Sequence, residues 1–136
     1  MGDRCTVSIT IRWVDVPTLA CGMGCEPDDV FNVTYAVGGP PHLVNGDIDG
    51  MDAAGASELR DLRDAGASFY GRHGQGAEYP AEAFACDGKS LVFVELSDQD
   101  IVVRLGRGGK PLVRDIRNAR KYREVLAAAK RNLKKG

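Results

Sequence analysis

The sequence predicts an α+β domain: a mostly antiparallel sheet of about five to six strands, with two main helices packed on one face and the C-terminal helix basic and amphipathic. Three observations carry that expectation. Apolar and polar residues alternate with period two in several short segments joined by turn residues, and such short joins suit antiparallel neighbours. Only two segments carry the three-and-four spacing of a long amphipathic helix, and both end as helices end. The chain has 136 residues, of which 43% are hydrophobic, enough for one domain with a core of its own.

Residues 5–14 open the chain with a strand, because Val7, Ile9, Ile11 and Trp13 alternate with Thr6, Ser8, Thr10 and Arg12. Asp15 then suits the cap of a short helix with Pro17 in its first turn, and Gly22 and Gly24 suit its end. An acidic loop follows at Glu26-Pro27-Asp28-Asp29. Residues 31–37 alternate again, until Gly38-Gly39-Pro40-Pro41 breaks them. Residues 45–52 read as an acidic, glycine-containing loop, with Asp52 as N-cap of a helix over 53–65 and Gly66 past its end.

Residues 67–72 are expected as a strand that delivers a glycine-rich loop. A return strand over 79–86 follows, with Pro80 at its start and Asp87-Gly88 as its hairpin turn. Residues 91–96 and 101–105 are the last strands, with Gly106-Arg107-Gly108-Gly109 as a turn from which 110–113 pairs back. The final helix, 115–134, carries Ile116, Ala119, Tyr122, Leu126, Ala129 and Leu133 on one stripe, with Asp115 or Asn118 as its cap.

Charge is split along the chain. Residues 1–103 hold 6 basic and 17 acidic side chains; residues 104–136 hold 12 and 2. The net charge of −1 hides this asymmetry, which directs attention to partners of opposite sign. The N-terminus alternates where a secretory signal would run apolar, and no run approaches the ~20 apolar residues of a membrane span. A cytoplasmic protein without membrane contact is therefore expected. In that compartment Cys5, Cys21, Cys25 and Cys86 are reduced thiols, Cys5 and Cys86 acting as buried fillers.

The opening Asp3-Arg4-Cys5-Thr6-Val7-Ser8-Ile9-Thr10-Ile11-Arg12, the later Phe69-Tyr70-Gly71-x-His73-Gly74-x-Gly76 and the Asp87-Gly88 turn together resemble small uncharacterised phage and prophage proteins. The resemblance touches about a third of the chain and brings no activity with it. What it implies is an accessory protein of a mobile element that binds a host protein or protein complex.

The stretch 68–80 concentrates more hydrogen-bonding side chains beside flexible backbone than any other. Tyr70, Arg72, His73, Gln75 and Tyr79 are candidate binding residues there: Arg72 offers a planar fork for phosphate or carboxylate, and His73 titrates near neutral pH. His73 with Glu78 is the candidate acid–base pair. No Gly-Lys-Ser/Thr ending marks a P-loop, and a glycine-rich turn with solvated polar residues is the plainer reading. Asn45, Asp47 and Asp49 match the first half of a calcium loop, but Ala56 stands where a bidentate carboxylate belongs. Cys21 and Cys25 supply two zinc-type ligands without a second close pair. No cofactor is expected.

The basic segment offers Arg104, Arg107, Lys110, Arg114, Arg117, Arg120, Lys121 and Arg123 as a phosphate-binding surface for DNA or RNA. Its alternative is a helix whose charges are balanced by the acidic body or across a homodimer. The leading functional expectation is a non-enzymatic binding module, an inhibitor or counter-defence factor acting by protein–protein contact. A nucleic-acid binder using 104–136 is the second, and an enzyme using Arg72, His73 and Glu78 the third.

Overall fold

Hydrophobic alternation at the N-terminus produces strand β1 (Arg4–Arg12), and the rest of the sheet is laid out on either side of it. The structure, a computed structural model, describes residues 4–35, 42–52, 55–76 and 80–135. After β1 come α1 (Val16–Met23), β2 (Val33–Tyr35), β3 (Leu43–Asp52), α2 (Ala56–Asp64), β4 (Ser68–His73), β5 (Glu82–Asp87), β6 (Leu91–Ser97), β7 (Asp100–Ile101) and α3 (Val113–Lys134). The described strands form one sheet of seven in the order β2-β3-β1-β4-β5-β6-β7, and every pairing is antiparallel. The α+β class stands; the described strands exceed the expected five to six, and the short helix expected after β1 packs on the sheet as a third α-helix beside the two main ones.

The sequence places the helices on one face, whereas the structure uses both. Val7, Ile9 and Ile11 of β1 join Phe69, Phe84 and Cys86 in a core with Leu19 of α1 and Leu59 and Leu62 of α2. Neighbouring strand positions point to the opposite side. There Ala85 and Val92 pack with Val125 of α3, alongside Tyr70, Tyr122 and Leu126. The chain is thus three layers, α1 and α2 on one face and α3 on the other. Helix α3 lies over β4, β5 and β6. Its side of β2 and β3 keeps Val33, Tyr35 and Asp49 exposed.

Several boundaries differ from expectation for identifiable reasons. The segment read as an acidic calcium-type loop is the ten-residue strand β3, because residues 43–52 pair with β1 along its length, with a register shift between Cys5 and Val7. Asp52 therefore ends a strand, and α2 is preceded by Gly55 in its place. Helix α3 starts two residues early, so Asp115 and Asn118 lie inside it and Leu112 is its N-cap, with no side-chain cap bond. Strand β7 is only two residues long, and of the pairing expected beyond it the described residues keep an isolated bridge between Leu105 and Pro111. Helix α1 ends as expected, at Gly24 with φ 71°.

The last turn of α3 is fastened to the far end of the sheet. Arg12 donates to the carbonyl of Asn132, and His42 Nε2 donates to the carbonyl of Leu133 at 2.9 Å. A helix end leaves its last carbonyls short of i+4 donors, and here the Asn132 carbonyl takes the Lys135 N–H at 3.2 Å as well as Arg12. Asn132 Nδ2 in turn donates to Ser68 Oγ and to the Asp87 carbonyl, each at 3.1 Å.

Candidate functional site: a basic groove beside the C-terminal helix

Arg72 and His73 are adjacent in sequence and divided in space. The strand runs to His73, so both lie on β4 and not in the loop beyond it, and consecutive strand side chains leave on opposite faces. His73 is 2% exposed and sits on the α1/α2 side, across from Val7 on β1 and Glu82 on β5. Its Nε2 is 3.0 Å from Glu82 Oε1 and its Nδ1 is 2.9 Å from the Gly74 carbonyl. Burial disfavours the imidazolium, but the Glu82 carboxylate and the Gly74 carbonyl outweigh it and hold the pKa above the ordinary imidazole value. Two acceptors facing the two ring nitrogens suit the doubly protonated ring. This is a stabilising pair, and it cannot share a substrate with Arg72. Gln75 is exposed beyond β4, and Glu78 and Tyr79 lie outside the described residues.

Arg72 faces α3. It donates from Nη2 to Gln99 Oε1 at 2.9 Å, an amide carried by the turn between β6 and β7. Beside it Lys130 Nζ of α3 stands 5.4 Å from the centre of the Tyr70 ring. Both cations are positioned by neutral partners, an amide oxygen and an aromatic face, and neither forms an ion pair among the described residues. Between them runs a groove of about 310 Å³ whose lining includes Ser8 and Thr10 of β1, Asn45 of β3, Tyr70 and Arg72 of β4, and Tyr122 of α3. Burial lifts the Tyr122 phenol pKa, and the Arg72 guanidinium offsets part of that rise, so the phenol remains a neutral hydrogen-bonding group at pH 7.

The groove is bordered by acid on the β3 side. Asp47 accepts from Ser8 Oγ and from Tyr35 OH, each at 2.6 Å, and Asp49 accepts from Thr6 Oγ1 at 2.9 Å. These carboxylates and Asn45 belong to an extended strand, which cannot wrap one cation as a loop does. Among the described residues no group of three or more His, Cys, Asp or Glu is placed to hold a metal. Cys21 is exposed and Cys25 partly buried, while Cys5 and Cys86 are buried as expected.

The basic side chains of the C-terminal segment divide into two groups. Arg104 reaches Glu95 at 2.6 Å, and its backbone N–H donates to Asp115 at 2.9 Å. Arg114 stands 4.0 Å from Asp115. Arg107 and Lys110 are exposed in the turn before α3. Arg117, Arg120, Lys121 and Arg123 are exposed on α3, and none makes an ion pair with another described residue. Balance by the acidic body therefore reaches Arg104 through Glu95 and Lys121 through the field of Asp87, Arg114 is met by Asp115 of its own helix, and Arg117, Arg120 and Arg123 are left without an ion pair among the described residues.

Sequence reasoning found Tyr70 and Arg72 but missed Ser8, Thr10, Tyr122 and Lys130 as parts of one site. The hydroxyls of Thr6, Ser8 and Thr10 on the polar side of β1 were a usable signal, since an interior strand that keeps one face polar marks that face as uncovered by a helix core. Comparison with protein-family models, curated proteins and solved structures gave no match. Among the described residues no helix is long and apolar enough to cross a membrane.

Proposed function

We propose that this chain is a non-enzymatic binding module whose partner is a nucleic acid, engaged through the outer face of α3. The observation that carries the reading is the set Arg117, Arg120, Lys121 and Arg123, exposed and without an ion pair to another described residue, Lys121 alone standing near enough to an acid, Asp87, to lower its pKa. Exposed guanidinium and ammonium groups attract phosphates and release condensed counterions. A helix with one face buried in a core and the other positive presents them on a rigid support. Arg107 and Lys110 in the preceding turn extend the same surface.

A second reading, contact with a host protein as the phage-type resemblance implies, is favoured by one feature. Ile101, Val103, Ile116 and Ala119 line a depression of about 240 Å³ flanked by Arg120 and Arg123. An apolar socket between two arginines suits a partner's apolar side chain set among carboxylates.

Changing Arg114, Arg117, Arg120 and Lys121 to Ser together tests both. Under nucleic-acid binding, affinity for a labelled random-sequence duplex falls steeply with salt. The slope of log K against log salt then shrinks by about 3 in the variant. Affinity capture from a bacterial lysate, with and without nuclease, separates the readings. Loss of the captured material on nuclease treatment supports nucleic acid; a discrete protein that survives nuclease and disappears with the substitutions supports the host-protein reading.

A further inference from the structure

The outer face of α3 does not account for the groove on its flank, which is lined from three strands and has its own chemistry. We infer that the groove between α3 and strands β1, β3 and β4 is a binding site for a mononucleotide-sized phosphate ester, its phosphate held between Arg72 and Lys130. The inference is independent of nucleic-acid binding by the outer face.

The charge pattern is the first support. The first 103 residues carry 17 acidic and only 6 basic side chains, yet among the described residues the groove's lining takes Arg72 from that segment, adds Lys130 from α3, and contains no carboxylate. Both cations are held by neutral partners, Gln99 and the Tyr70 ring. They are oriented in advance without being neutralised, which lowers the ordering cost when an anion arrives. Arg72 keeps further N–H donors beyond the one given to Gln99, and a guanidinium fork with an ammonium is a suitable pair for a phosphate dianion.

The remainder of the lining supplies what the organic part of such a ligand needs. Thr10 and Asn45 stand opposite each other on β1 and β3, and Thr10 is opposite Tyr70 on β4, so hydroxyl, amide and phenol groups cross the floor in one row. These donors and acceptors match ribose hydroxyls and base edges, while Tyr122 and Leu126 give an aromatic and apolar wall. Asp47 stands opposite Ser8 at the β3 margin with its oxygens engaged by Ser8 and Tyr35. Its charge repels a phosphate from that side and orients the ligand with the phosphate toward α3. The volume of about 310 Å³ lies at the small end of the range for small-molecule sites, ~300–1,000 Å³, and matches one nucleotide.

The test is an amide-resolved NMR titration of the full chain with adenosine 5′-monophosphate, adenosine and inorganic phosphate, repeated on Arg72→Gln and Lys130→Gln. A second arm uses a short single-stranded oligonucleotide carrying a 5′-phosphate. Saturable shifts at Ser8, Thr10, Tyr70 and Arg72 with the monophosphate, at least about tenfold weaker with adenosine and in each variant, support the site. Tighter binding of the 5′-phosphorylated oligonucleotide with shifts at the same residues assigns the nucleotide to a strand end; equal affinity assigns it to a free mononucleotide. Absence of saturable shifts at about 10 mM monophosphate overturns the proposal. So do shifts confined to Arg117, Arg120 and Lys121, a result that leaves the outer-face reading standing. Unchanged amide spectra of the ligand-free variants show that they fold, so loss of binding in them cannot be loss of structure.

Discussion

Gly71 shows how tightly single residues of β4 are held. It pairs with Ile9 of β1 and Phe84 of β5, and a Cβ there would overlap the Ser8 carbonyl oxygen and come within 2.9 Å of the Phe84 ring. The obstruction is backbone on one side and a fully buried ring on the other, so neither can move away cheaply. Gly71→Ala is expected to destabilise the fold by about 3 kcal/mol, read as a lower urea midpoint with an unchanged slope. His73 gives a pH dependence. Its folded pKa lies above the ordinary value despite burial, because Glu82 and the Gly74 carbonyl favour the protonated ring. The stabilisation is complete below the unfolded pKa of about 6.5 and is lost as pH rises through the folded pKa. Thermal midpoints measured from pH 5.5 to 8.5 should fall with rising pH, and Glu82→Gln should flatten that fall. Arg72 and His73, read in the sequence as parts of one loop, leave β4 on opposite faces because the strand reaches His73, while Glu78 lies outside the described residues.

Helix α3 depends on its C-terminal anchors. Arg12 comes from the end of β1 and His42 from just before β3, and both donate to carbonyls of the last turn. A positive side chain there also complements the negative end of the helix dipole. Arg12→Ala is expected to fray that turn, raising amide exchange over residues 131–135, at a cost of about 1–2 kcal/mol. Hydrogen exchange measured residue by residue checks this; protection unchanged in the last turn would show the anchor to be idle. The helix itself was legible from its three-and-four spacing, although Val125, buried at its centre, fell outside the predicted stripe. Strand β3 was not legible. Asn45, Gly46, Asp47, Asp49 and Gly50 are poor strand formers, and pairing on both edges with β1 and β2 overrides their local preference.

At the scale of the whole molecule, α3 is the layer that covers one face of β4, β5 and β6. Ala85 and Val92 of the sheet are buried against it, and Val125, Ala129 and Leu133 are buried in return. Val125 and Leu133 alone represent about 1.5–3 kcal/mol each, against a total stability of about 5–15 kcal/mol for a domain. A chain ending at residue 112 is therefore expected to lose cooperative unfolding and bind hydrophobic dyes, and a sharp thermal transition in that truncation would refute the three-layer account. The same helix carries the positive half of the charge split, so the element that completes the core also presents the basic surface. Removal of α3 would abolish both, which is why the proposed function is tested by substitution and not by truncation.

The sequence by itself determined the strands with β-branched alternation, the amphipathic helices, the hairpin turns and the charge asymmetry, because each is written in neighbours a few residues apart. β1, α1, β4, β5, β6 and α3 all lie close to where periodicity and turn residues place them. Tertiary structure alone decided which side of the sheet each helix covers, since alternation defines two faces without saying what packs on either. It also decided that Ser8, Thr10, Asn45, Tyr70, Arg72, Tyr122 and Lys130 line one groove, although up to 122 positions separate them. Strand order and the docking of α3 across β4, β5 and β6 bring them together, and both arise from burial of apolar surface between elements distant in the chain.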